Sequence, residues 1–496
     1  MRIKFKHAFI AVIAIIAMSI GLSNCTKNNS GVDSNVEEGN IVTGYFSVAV
    51  STPKSTQTRT EGENNETTVT PNDGDINSVT LILTDDNGKV QQFFTNVSVT
   101  SDKTNPVKVA TGIYDVYAIV NPSGSIASLL TTGADINTLI QAGGAEEIND
   151  YANASSKGFF MINANDNTDK TDNSAWQNVS IETANIQTNP KTISINVDRL
   201  VAAIRSEVSA TPLIKTGSSL DNAIEEISSD ALITSLRVDG IYPLNILNKY
   251  NPIQTWIANP DANSDGGKVL STPTPLQTAT AEIASNFYNR PSQIATYDAT
   301  SKQAVSTSLS GNDFTGLKFV LENRPVIVPD GSNLTTYDNI ATGVIFKVTA
   351  LDASNSAKTF YKVRATDRCY YDKEAAITAL NIANGSNIPT TESNLVLLRA
   401  AGLQIYEDGA MYFTYYIKDQ NYKASYPASA ITNALYYAIH RNSVYDLTVT
   451  VVSNFGADLP GGDIISPEDP DIIADTYLQV TIVVNQWVDN NIEVEF

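Results

Sequence analysis

Val79-Thr80-Leu81-Ile82-Leu83-Thr84-Asp85-Asp86-Asn87-Gly88-Lys89-Val90-Gln91-Gln92-Phe93-Phe94 decides the architecture. A run of β-branched and apolar residues stops at four turn formers, and a second apolar run follows. Asn-Gly supplies the positive φ that tight hairpin turns demand, so the stretch predicts two antiparallel strands. Comparable runs recur at 113–120, 193–197, 233–238, 317–321, 344–349, 412–417, 444–452 and 477–484. Helical spacing is confined to two short pieces, 136–142 and 374–383. Thr, Val, Ile and Tyr are abundant, whereas Lys, Arg and Glu, the usual helix-surface residues, are scarce. Strands do not alternate with helices, so the expected fold is all-β: antiparallel β-sandwiches with long loops and few short helices.

The chain has 496 residues, 42% hydrophobic and only 17% charged. That length suggests roughly two to four domains of about 100–200 residues, and the apolar fraction excludes a disordered protein. Residues 233–238 read as a closing strand, and Asn251-Pro252 then opens an irregular polar stretch. The expected domains are therefore 60–250 and 251–496. Lys and Arg number 32 against 53 Asp and Glu, a net charge of −21. Such a surface repels phosphates, so no nucleic acid is expected as a partner. Two cysteines build neither a disulfide scaffold nor a Cys-rich metal site. Of two histidines, His7 falls in the leader, which leaves His440 alone in the mature chain.

Arg2, Lys4 and Lys6 precede an apolar run at 9–20, and polar residues follow at 26–30. This is the pattern of a secretory signal over residues 1–24, too short for a transmembrane helix. Leu22-Ser23-Asn24-Cys25 resembles a bacterial lipobox, with Cys25 as the lipidated residue. Acyl chains there anchor a protein through about 0.8 kcal/mol per buried CH₂. The other thiol, Cys369, sits in an apolar-aromatic context and reads as a packed residue.

The two ends of the chain hold matching strands. Val42, Phe46, Val48 and Val50 share one parity, opposite Thr43, Ser47 and Ser51. The polar stretch 52–65 follows, with Arg59 as the only arginine between Arg2 and Arg199. Leu478, Val480, Ile482 and Val484 alternate with Gln479, Thr481 and Asn485, and Trp487 ends the run. A Pro/Gly/Asp-rich segment, 459–475, separates this last strand from the one before it. Cleavage at Arg59–Thr60 would free the front strand, bearing Phe46, Val48 and Val50. The groove left behind, flanked by unpaired backbone, would fit the tail strand of another copy. Joining of this head-to-tail kind produces an open filament.

Other chemistry is sparse. Asp261, Asn263 and Asp265 fit the opening of a calcium loop, but position twelve is Thr272 and no helix pattern flanks it, so an acidic turn is the expectation. His440 with Ser443 or Asp446 forms a nominal nucleophilic set, but strand neighbours alternate faces. Trp176 and Trp256 are candidates for stacking on sugars or for core packing. No cofactor and no enzyme activity are expected.

Several motifs resemble one family. They are Phe319-Val320-Leu321-Glu322-Asn323-Arg324, Ala341-Thr342-Gly343-Val344-Ile345-Phe346-Lys347, Gly409-Ala410-Met411-Tyr412-Phe413-Thr414-Tyr415-Tyr416-Ile417-Lys418 and His440-Arg441-Asn442-Ser443-Val444-Tyr445-Asp446-Leu447-Thr448-Val449. Gly112-Ile113-Tyr114-Asp115-Val116-Tyr117, Asn121-Pro122 and Val197-Asp198-Arg199 match more loosely. The sequence is similar to fimbrillins of the Bacteroidetes type V pilus, in particular the Mfa-type structural subunits. The resemblance implies two tandem transthyretin-like sandwiches and a precursor lipid-anchored in the cell outer membrane. It further implies a propeptide, 25–59, removed by an Arg-specific surface protease, and joining through a donor strand at about 477–487. Implied partners are other copies of the chain, anchor and tip subunits, and a surface receptor the sequence does not name. A usable tail strand points to a stalk subunit of a cell-surface fimbrium. A tip or accessory adhesin, or a glycan-binding surface lipoprotein, is the alternative.

Overall fold

A computed structural model describes residues 42–52, 66–67, 75–101, 103–122, 130–136, 158–164, 176–207, 211–247, 256–258, 268–270, 287–289, 291–298, 304–314, 316–323, 341–417, 438–462 and 478–487. The opening hairpin forms as its sequence dictates: β1 is Thr43–Ser51, β2 Val79–Thr84 and β3 Val90–Val97. Asp85 Oδ1 accepts from the backbone N–H groups of Asn87 and Lys89, both at 2.9 Å, and Gly88 takes φ 72°. β4 (Val107–Ala110), β5 (Gly112–Val120), β6 (Met161–Asn163), β7 (Trp176–Ile181) and β8 (Lys191–Arg199) complete the N-terminal part.

Its strands run in the order β3-β2-β5-β6-β8-β1, with β7 on β5 and β4 on the far side of β1. β8 turns the sheet. Its residues 191–196 pair with β1 and 197–199 with β6. Phe46, Val48, Leu81, Val116 and Val197 are fully buried in the core this encloses.

Leu200, also fully buried, carries the chain onward into β9, Val201–Ser206. The C-terminal part contains β10 (Ser235–Leu244), β11 (Lys318–Leu321), β12 (Gly343–Leu351), β13 (Phe360–Val363), β14 (Arg368–Tyr370), α1 (Lys373–Asn384), α2 (Leu395–Ala400), β15 (Leu403–Tyr406), β16 (Ala410–Tyr416), β17 (Ser443–Val452) and β18 (Leu478–Trp487). One sheet runs β18-β17-β9-β11 and a second runs β10-β12-β16. Val238, Phe346, Val348 and Met411 of the second share a core with Tyr445, Leu447 and Val449 of the first. A third sheet, β14-β13-β15, is covered by the two helices, which bury Ile377, Leu380 and Leu398 against it. α1 starts where Asp372 accepts from Ala375 N–H at 2.7 Å and stops at Gly385, φ 64°.

Two expectations need correction. Pairing with the C-terminal part begins well before 250: β9 and β10 both precede 250 yet pair with strands beyond residue 317. Alternation over 233–238 reports one buried face and does not say which distant strand supplies the edge. The sheets are also mixed, not purely antiparallel, because β1 runs parallel to β8 and β9 parallel to β17. Long excursions separate those partners in sequence, which is what parallel neighbours require. The all-β sandwich architecture itself is as expected. Of the two helical pieces, 374–383 lies within α1, and 136–142 lies outside the described residues beyond Ile136.

Candidate functional site

The front strand is a plug. Phe46 and Val48 are fully buried and Val50 is 3% exposed; Gly44 and Thr52, of the same parity, are buried too. Val42, next in that row, is half exposed. β1 has neighbours on both sides, β8 in parallel and β4 antiparallel from Thr43↔Ala110 to Phe46↔Val107. Ser47 Oγ donates to the Thr104 carbonyl at 2.7 Å, and Thr104 Oγ1 accepts from Val48 N–H at 2.9 Å. Tyr45 N–H donates to the Asn185 carbonyl at 2.7 Å, and Thr111 N–H to the Val42 carbonyl at 2.9 Å. Taking β1 away would leave two bare backbone edges and an apolar slot for three large side chains. Each such side chain contributes roughly 1.5–3 kcal/mol when buried.

The tail strand pairs along its length with β17. Leu478 lies opposite Val452, Val480 opposite Val449, Ile482 opposite Leu447 and Val484 opposite Tyr445. On its outer side, only two pairs form among the described residues, Glu66↔Gln486 and Thr67↔Trp487, in parallel. β1 and β18 therefore belong to different sheets. The described residues nearest Arg59 in sequence are split between them: Thr52 directly follows the front strand and Glu66 pairs with the tail. Cys25, Arg59, Thr60, Asp261, Asn263 and Asp265 lie outside the described residues. Among the described residues, no group of three or more His, Cys, Asp or Glu side chains is placed to hold a metal ion.

The motifs quoted above converge on the junction around Leu200. Arg441 donates to Glu322 through Nε at 3.1 Å and Nη2 at 2.8 Å, and both side chains are buried. Arg199 Nη1 donates to Asn442 Oδ1 at 3.0 Å, and Asn442 N–H to the Val201 carbonyl at 2.9 Å. Asn323 exchanges backbone hydrogen bonds with Ile439 and donates through Nδ2 to Thr342 Oγ1 at 2.9 Å. The Phe159 and Phe319 rings meet edge to face, 5.5 Å apart, across the same seam. Sequence reasoning did not assign this knot, although charged residues abutting apolar runs, as in Leu321-Glu322 and His440-Arg441, were its signal.

The nominal nucleophilic set is employed structurally. Asp446 is ion-paired with Arg205, and Ser443 Oγ donates to the Arg441 carbonyl. His440 is buried, and its backbone N–H donates to Tyr445 Oη at 2.9 Å. Trp176 lies opposite Val116 on β5, and Trp256 opposite Leu270 in a short two-stranded ribbon. Cys369 is 3% exposed, and burial pushes its thiol pKa up to about 12. Thiolate is the reactive form, so alkylation with iodoacetamide at pH 8 should leave Cys369 intact in the folded protein and modify it after unfolding. Rapid native labelling would contradict this packing.

Residues 404–493 match the family described as Major fimbrial subunit protein type IV, Fimbrillin, C-terminal. The stretch takes in β16, β17 and the tail strand. Over that stretch the chain is similar to the C-terminal region of fimbrillins. No curated protein matches the chain. Among solved structures, a fimbrilin of Porphyromonas gingivalis aligns with 16% identity and a TM-score of 0.39, covering 90% of this chain and 98% of the other. The C-terminally truncated tip fimbrial protein Mfa3 of the same organism aligns with 11% identity and a TM-score of 0.38, covering 90% and 100%. A Parabacteroides distasonis protein provisionally described as a cell adhesion protein aligns with 13% identity and a TM-score of 0.42, also covering 90% and 100%.

Proposed function

We propose that this chain is a stalk subunit of a cell-surface fimbria, exported as a lipoprotein precursor tethered to the outer membrane through Cys25. An Arg-specific surface protease cuts after Arg59, the new N-terminus is Thr60, and subunits join head to tail through residues 477–487. Its partners are further copies of itself and the anchor and tip subunits at the fibre's ends. The observation that carries this reading is the position of β1, a central strand with Phe46, Val48 and Val50 in the core, immediately ahead of the stretch bearing Arg59. A strand so placed leaves a slot when it is removed. The tail, with two pairs on its outer side among the described residues, is the element on hand to lend.

A capping experiment tests the exchange. A trimmed subunit lacking residues 477–496 keeps the slot but has nothing to lend. Mixed with wild-type trimmed subunit, it should shorten the ladders seen on SDS gels of unheated samples, progressively with its mole fraction. Ladders of unchanged length at equimolar mixing would contradict joining through the tail.

A further inference from the structure

Every strand that fills the place of β1 meets an obstacle at one end of the slot. A Cβ at position 44 would sit 2.4 Å from the Glu182 carbonyl oxygen and 3.0 Å from Ile181 Cγ2. The first is backbone, so glycine is the residue that fits beside it. The obstruction belongs to the domain, not to β1. The turn is held by its own hydrogen bonds, Glu182 N–H to Asn185 Oδ1 at 2.8 Å and Asn185 N–H to the Glu182 carbonyl at 3.0 Å. β7 leads into it and is fastened to β5 through Ile181↔Gly112. It therefore persists when β1 leaves.

Resting on the strand-exchange reading above, we infer that the Glu182–Asn185 turn is a register stop for the incoming tail of a second copy. The tail offers four alternating apolar residues, Leu478, Val480, Ile482 and Val484, and no glycine lies anywhere between 463 and 496. Inward positions of the slot are those of Phe46, Val48, Val50 and Thr52, all buried in the precursor, with the closed position of Gly44 beyond. Four apolar residues match the four open positions, and in either direction of insertion none occupies position 44. Parallel to β8, Leu478 takes the place of Phe46 and Val484 that of Thr52. In the opposite direction, Val484 takes the place of Phe46 and Leu478 that of Thr52. The residue next in line, Thr476 or Gln486, carries a Cβ, so regular pairing ends short of position 44. A slip of one dyad toward the turn would force Leu478 or Val484 against the Glu182 carbonyl.

Phe46 lies opposite Lys191, which makes that residue the reporter. Trimmed subunits bearing Lys191→Cys are mixed with subunits bearing one cysteine at 478, 480, 482 or 484, allowed to assemble, and oxidised. Buried Cys369 is common to all and serves as background. Cross-linking to 478 or to 484, at least about tenfold above 480 and 482, is the expected result. Dominant cross-linking to 480 or 482, or ladders with no cross-link to any of the four, would overturn the register stop while leaving strand exchange standing. Absence of ladders from the parent mixture would instead sink the exchange reading itself.

Discussion

Arg59→Ala is expected to leave the exported protein uncut and monomeric, with no ladder on gels of unheated samples and the larger, untrimmed size. Arg59 is the only arginine in the first 198 residues beyond Arg2, so an Arg-specific protease has no nearby substitute. The uncut strand then competes with any incoming tail from within the same chain, at an effective concentration in the millimolar range or above. Displacing it exposes Phe46, Val48 and Val50, at roughly 1.5–3 kcal/mol each, and breaks two ladders of backbone hydrogen bonds. Even the lower figure suppresses joining by about a thousandfold, since 1.4 kcal/mol is a factor of ten. Placing a foreign protease site at 58–61 in the same variant should restore ladders on addition of that protease. Polymers formed by the uncut variant would contradict the role given to β1.

Arg441→Met is the second large effect, and it acts on stability. Glu322, buried, would lose both side-chain hydrogen bonds from Arg441 and keep the long 3.4 Å contact from the Arg441 backbone N–H. Removing one member of a buried ion pair costs about 3–5 kcal/mol, whereas replacing both by apolar groups is near neutral. Denaturant melts should therefore show the single variant destabilised by about that amount, with Arg441→Met/Glu322→Met recovering most of it. A single variant within about 1 kcal/mol of the parent would show that the pair does not hold the junction. The pair ties the residue following β11 to the approach to β17, the strand that pairs with the tail, so its loss should loosen that pairing as well.

What the sequence made legible follows from what is local. Alternation of Phe46, Val48 and Val50 reports a one-sided strand because side chains on a strand alternate faces, and all three are buried. Helical spacing over 374–383 falls within α1 because that periodicity, like the caps Asp372 and Gly385 that bound the helix, is set within a few residues. Long-range relations were not legible. That Val48 pairs with Ile193 in parallel, or that 235–244 joins 343–351, depends on chain about a hundred residues away or more. Gly44 looked like an ordinary gap in an apolar row, since the Glu182 carbonyl that makes glycine necessary is supplied by another turn. The same holds for Glu322 and Arg441, whose motifs were visible but whose pairing was not.

The most direct measurement is a density map of the assembled fibre at a resolution that reads side chains. The strand between 191–196 and 107–110 of each subunit should carry the sequence Leu478-Gln479-Val480-Thr481-Ile482-Val483-Val484 and trace to the neighbouring subunit. Finding that slot filled by the subunit's own Thr43–Ser51, or finding every tail still paired with its own Ser443–Val452, would contradict strand exchange.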